Sequence, residues 1–180
     1  MKKYILDAGL KLGIIQALYW LLIYLLGIEY LTNIWVLMIS LVISVSLYVY
    51  FGIRYRKLND GYLTFKDAFT LLFFIFAVSG AVTTVFNMLL YHVIDPRLPQ
   101  AMTEKILETT IGYMERFGAP ESEIDKVVAE MENKGEQFSV LGLLKSYLWS
   151  FIGGAIISLI IAAIIKKTPP VFGEESVVNE

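Results

Sequence analysis

Residues 12–28, 30–53, 68–94 and 146–165 contain no Asp, Glu, Lys or Arg. A bilayer core about 30 Å thick takes roughly 20 helical residues, so each stretch is long enough to cross one. The last shows the energies involved. Residues 146–165 hold ten Leu, Ile or Phe side chains. Together they are worth about −5 kcal/mol on the insertion scale, and no charge at about +3 kcal/mol opposes them. The pattern predicts an all-α membrane protein, an antiparallel bundle of four transmembrane helices over about 8–28, 34–53, 66–92 and 143–165. A single domain over 1–167 and a flexible tail at 168–180 are expected. Lys2 and Lys3 before an apolar run resemble a secretory leader, but Asp7 and Lys11 interrupt that run and no small-residue cleavage site follows. A retained helix is expected.

The polar connections carry their own signals. "EYLTN" (29–33) leaves room only for an antiparallel hairpin. In "LNDGYLTFKDAF" (58–69), Asn59-Asp60-Gly61 tolerates positive φ and predicts a turn. Thr64 followed by Asp67 predicts an N-cap resembling a capping box. Between the third and fourth spans, 95–138 is predicted to form a helical hairpin outside the bilayer. Met102, Ile106, Ile111, Met114 and Phe117 recur at near-helical spacing up to Gly118. Pro120 then starts a second helix with Ile124, Val127, Val128 and Met131 on one face and Gly135 at its end. "FSVLGLLKSY" (138–147) is expected to lie along the interface before the last span, which "KKTPP" terminates.

Composition agrees with this reading and adds some exclusions. The chain is 57% hydrophobic and 18% charged, with a mean hydropathy of +0.63, whereas soluble domains are about a quarter charged. A net charge of −2 with no dense basic patch argues against a nucleic-acid partner. Zero cysteines exclude disulfides, thiol catalysis and cysteine-based zinc sites. Lys2, Lys3, Lys11, Arg54, Arg56, Lys57, Lys66, Lys166 and Lys167 lie on the side of the termini. Arg97, Lys105, Arg116, Lys126, Lys134 and Lys145 are spread over the long loop. The bias predicts both termini cytoplasmic and 95–138 on the opposite side.

Four spans, "GYLTFKDAF" (61–69) opening the third and a long helical loop before the fourth resemble the bacterial family catalogued as domain of unknown function 4199. The resemblance covers about residues 4–167 and is strongest at Gly61-Tyr62-Leu63-Thr64-Phe65-Lys66 with Ala68-Phe69. It implies an integral inner-membrane protein, with the loop then periplasmic, and brings no activity or catalytic residues.

Small residues recur every fourth position: Gly9, Gly13 and Ala17; Ser40 and Ser44, then Gly52; Gly80 and Thr84, with Asn87 near; Ser150, Gly154, Ser158 and Ala162. Lipid removes the hydrophobic drive between membrane helices, so small residues and interhelical hydrogen bonds do the joining. These stripes are expected to pack the bundle, with a homodimer through the first or last helix as the sharper alternative. Gln16, Thr84 and Asn87 are candidate polar contacts inside the bundle, better read as interhelical hydrogen bonds than as ligand contacts. Trp20, Tyr24, Trp35, Tyr48, Tyr50, Tyr147 and Trp149 suit an interfacial aromatic belt. His92 and Asp95 could present two metal ligands, but Pro96 disfavours helix at Asp95 and no second histidine exists. Glu104/Glu108 and Glu121/Asp125 stand among lysines, as on solvated helix surfaces. No catalytic residue, cofactor or metal is predicted. The expected function is that of an interaction or structural module, contacting lipid and a second copy or membrane-protein partner through 97–134. The alternatives are a dimeric small transporter or channel component and a membrane enzyme using His92 and loop acids.

Overall fold

The computed structural model describes residues 1–132 and 137–169, without the side chains of 131 and 132. These residues form α1 (Lys2–Leu26), the single turn α2 (Ile28–Leu31), α3 (Ile34–Leu58), α4 (Phe65–Leu89), α5 (Leu98–Arg116), α6 (Glu121–Glu132) and α7 (Val140–Ile165). A π-helical turn, Leu90–Ile94, prolongs α4. Helices α1, α3, α4 with its π turn, and α7 are long and apolar enough to cross a membrane. Gly135, the Met131 side chain, Lys134 and the tail from Pro170 lie outside the described residues.

Local chemistry accounts for the helix ends. The Asn33 side chain accepts from Trp35 N at 2.8 Å and caps α3. Asp60 and Gly61 take φ of 53° and 79°, giving the turn after α3. Thr64 Oγ1 accepts from Asp67 N at 3.2 Å and donates to Asp67 Oδ2 at 2.7 Å. In the usual box the acid reaches the cap's backbone N–H; Asp67, one methylene shorter than Glu, takes the hydroxyl instead. Thr64→Ala should cost about 1 kcal/mol, read as a lower unfolding temperature in detergent. At the far end of α4, Asp95 precedes Pro96 and is extended (φ −141°, ψ 85°). Gly118, at φ 72°, closes α5.

Helix α1 already begins at Lys2, ahead of the expected start near residue 8, and two further boundaries differ from expectation. Helix α3 continues past Ile53 to Leu58, because Arg and Lys are good helix formers and cations suit a helix C-terminus. The residues around Val140–Tyr147 are no separate interfacial segment. Ser139 Oγ accepts from Gly142 N at 3.0 Å, and α7 then runs unbroken from Val140.

Helix α4 is the central element, packed on α1 along one side and α7 along another. The seam with α1 is tight: a methyl group on Gly9 or Gly13 would stand 2.6 Å from Cβ of Val78 or Val82. Gly154 of α7 likewise lies against the Phe76 ring. Helix α3 is held chiefly near the 58–64 turn. There Gly52 sits on Ile165, Tyr4 Oη donates to Phe51 O at 2.8 Å, and Arg56 Nη1 donates to Ile165 O at 2.8 Å. Leu63 and Lys167 exchange two backbone hydrogen bonds, each 2.8 Å, which ties the turn to the end of α7. Leu12, Leu72, Ile75 and Ile165 are fully or almost fully buried at this end. A smaller cluster at the other end packs Leu31, Leu90 and Leu98 with Trp20 and Tyr24, seating the start of α5 on the spans.

Candidate functional site

Away from the 58–64 turn the spans do not close. Residues 34–43 of α3 are exposed or half-buried, and so are 140–150 of α7. In this half, α3 is hydrogen-bonded only to α1 among the described residues: Gln16 Nε2 donates to Ser44 Oγ at 3.2 Å, and Tyr19 Oη to Val36 O at 3.3 Å. Between α1, α3, α4 and α7 lies a cleft of about 390 Å³, within the range of roughly 300–1,000 Å³ usual for small-molecule sites.

The floor of the cleft is a buried pair. Tyr48 Oη lies 2.9 Å from Ser79 Oγ, and Ser79 Oγ is 3.1 Å from Phe76 O. The assignment that uses every proton has Ser79 donating to Phe76 O and accepting from Tyr48. One turn further, Thr83 Oγ1 donates to Ser79 O at 3.0 Å, with Gln16 Oε1 at 3.4 Å. Higher on the walls, Thr84 Oγ1 donates to Gly80 O at 2.8 Å and Ser150 Oγ to Tyr147 O at 2.6 Å. Asn87 lines the cleft and has no side-chain hydrogen-bond partner among the described residues. No Asp, Glu, Lys, Arg or His lines it.

Three candidates named from the sequence, Gln16, Thr84 and Asn87, therefore come together in one cleft, with Ser44, Gly80, Gly154 and Ser158 among its walls. Gly9 and Gly13 lie on the α1–α4 seam. Ala162 is buried near the 58–64 end, and Ser40 Oγ donates to Leu37 O of its own helix. The sequence reading missed Tyr48, Ser79 and Thr83. Ser79 and Thr83 are four residues apart, a spacing legible in the sequence; Tyr48, expected in the aromatic belt, is instead buried on Ser79.

The remaining ionisable candidates are engaged elsewhere. Asp95 accepts from Tyr24 Oη at 3.2 Å and, through its other oxygen, from Arg97 N at 3.1 Å. Asp7 pairs with Lys11 at 2.7 Å on an exposed surface. On α5, Gln100 donates to Glu104 at 2.9 Å, and Lys105 pairs with Glu108 at 2.9 Å. That hydrogen bond, together with the carboxylate charge, holds the Lys105 ammonium above its ordinary range.

By helix length and composition this is a multi-pass helical membrane protein, with an uncharged cleft among its spans. The chain belongs to the family described as "Protein of unknown function (DUF4199)", whose pattern matches residues 8–167. No curated protein and no solved structure matches it.

Proposed function

We propose that the chain is an antiparallel four-helix bundle of a bacterial inner membrane that works by binding rather than by chemistry. Both termini are cytoplasmic, and the hairpin of α5 and α6 is periplasmic. The single observation that carries the binding reading is the cleft: uncharged, lined with hydroxyls and two carboxamides, and closed at one end. Ion-coupled transport relies on ionisable groups inside spans, and the cleft wall has none beyond the phenols Tyr48 and Tyr147, each bonded within the protein. The buried side chains of Leu72, Ile75 and Ile165 block passage towards the turn. A dimeric transporter or channel component would need a second route through the molecule. The α5–α6 segment, with Phe117 exposed at its bend, is the proposed surface for a second copy or another membrane protein; no nucleic acid is involved.

The topology has a direct test. Single cysteines at Asp60 and Asp125 should be labelled by an impermeant maleimide from opposite faces of sealed vesicles. Labelling of both from one face, or release of the protein by alkaline carbonate, would overturn the membrane arrangement.

A further inference from the structure

Hydrogen-bond arithmetic in the cleft specifies what it can receive. The hydroxyl protons of Ser79, Thr83, Thr84 and Ser150 all go to backbone carbonyls of their own helices. A hydroxyl has one proton and two lone pairs, so these four present acceptors with their donors already spent. The Ser44, Ser146 and Ser158 hydroxyls and the Trp20 indole N–H also line the cleft and donate to nothing among the described residues. Asn87 adds a free carboxamide, with both a donor and an acceptor, about two turns above Ser79. An occupant that satisfies this lining must offer both a proton donor and an acceptor, as a hydroxyl does. It must also be uncharged, because no ionised side chain lines the cleft and an unpaired ion there would bear the full desolvation cost.

The way in is apolar. Helices α3 and α7 meet at Gly52, Arg56 and Ile165, whereas Leu41 and Leu143 line the cleft further up, next to the exposed Val42, Leu144 and Leu148. The cleft therefore opens sideways between two lipid-facing surfaces. We infer that it takes the head of a neutral, hydroxyl-bearing amphiphile, with the apolar chains trailing out between α3 and α7 into the bilayer. This rests on the membrane-spanning binding reading above and adds the chemical class of the ligand.

Trp20 lines the cleft, while Trp35 and Trp149 are 74% and 73% exposed, so one fluorophore can be isolated. The full chain carrying Trp35→Phe and Trp149→Phe is placed in phosphatidylcholine nanodiscs and titrated with a diacylglycerol brominated in its acyl chains. Trp20 emission should be quenched saturably. Unlabelled diacylglycerol should reverse the quenching; triacylglycerol, which lacks the hydroxyl, and phosphatidic acid, which is charged, should not. Asn87→Leu and Ser150→Leu, checked for native helicity, should each raise the half-saturation concentration about tenfold, as expected when a buried hydrogen-bonding group loses its partner. Quenching that rises linearly as with brominated phosphatidylcholine, equal competition by triacylglycerol or phosphatidic acid, or unchanged binding in both variants would overturn the inference. Carbonate extraction of the same preparation separates the two levels: a protein that stays in the membrane but shows no saturable quenching refutes the ligand and leaves the membrane reading standing.

Discussion

Gly13→Leu should separate α1 from α4 and lower stability by about 3 kcal/mol or more, at the top of the range for overpacking a closed seam. Even a methyl group at this position would stand 2.6 Å from Val82 Cβ and 3.0 Å from both Val82 Cγ1 and Ser79 O. The carbonyl cannot swing aside as a side-chain tip can, because it belongs to the backbone of α4. The helices must move apart, and in lipid their association depends on this close contact. Gly153→Leu is the matched control: it adds the same side chain on α7 where nothing lies within 4 Å. Unfolding in mixed micelles, followed by circular dichroism, should show a large loss for Gly13→Leu and a small change for Gly153→Leu. Equal stability of the two would mean that α1 and α4 do not meet at this seam.

Arg56→Ala should cost about 2 kcal/mol, the range for a hydrogen bond to a charged group. The guanidinium donates to Ile165 O, one of the final carbonyls of α7 that have no intrahelical partner. It also places a cation at the negative end of that helix. The loss should concern α3 in particular, because this helix has few other attachments to α7. Spin labels at Leu58 and Thr168 should report a broader and longer distance distribution in the variant. Arg56→Lys keeps the charge but loses the planar fork, so it should recover only part of the stability. An unchanged distance distribution in Arg56→Ala would show that α3 is held by other means.

Signals whose physics is local were legible in the sequence. Asn59-Asp60-Gly61 turns because its residues tolerate positive φ, and Asp60 and Gly61 adopt it. Thr64 caps α4 through a group three residues away, and Pro96 ends the preceding helix by steric conflict with its immediate neighbour. Other features depended on residues far apart in the chain. Leu63, in the middle of the turn motif, pairs with Lys167 about a hundred residues later. Tyr48 had the composition of an interfacial aromatic, and only the approach of α4 shows that it is bonded to Ser79. The acids of α5 could be placed on a polar surface from their spacing, since Lys105 and Glu108 meet on a single helix.

By itself the sequence determined that four apolar helices of membrane-crossing length exist, though not that α3 runs on to Leu58, since excluding charge and pairing the backbone within a helix are properties of one segment at a time. The tertiary structure alone decided which side of each helix faces inward, and so where the cleft lies. In a soluble bundle an apolar stripe marks the interior; a span surrounded by lipid is apolar all round, so its periodicity carries little of that information. Small and hydroxyl residues were the remaining trace, and whether each serves a seam, as Gly13 does, or a cleft wall, as Thr84 does, follows only from the helix that comes to lie beside it.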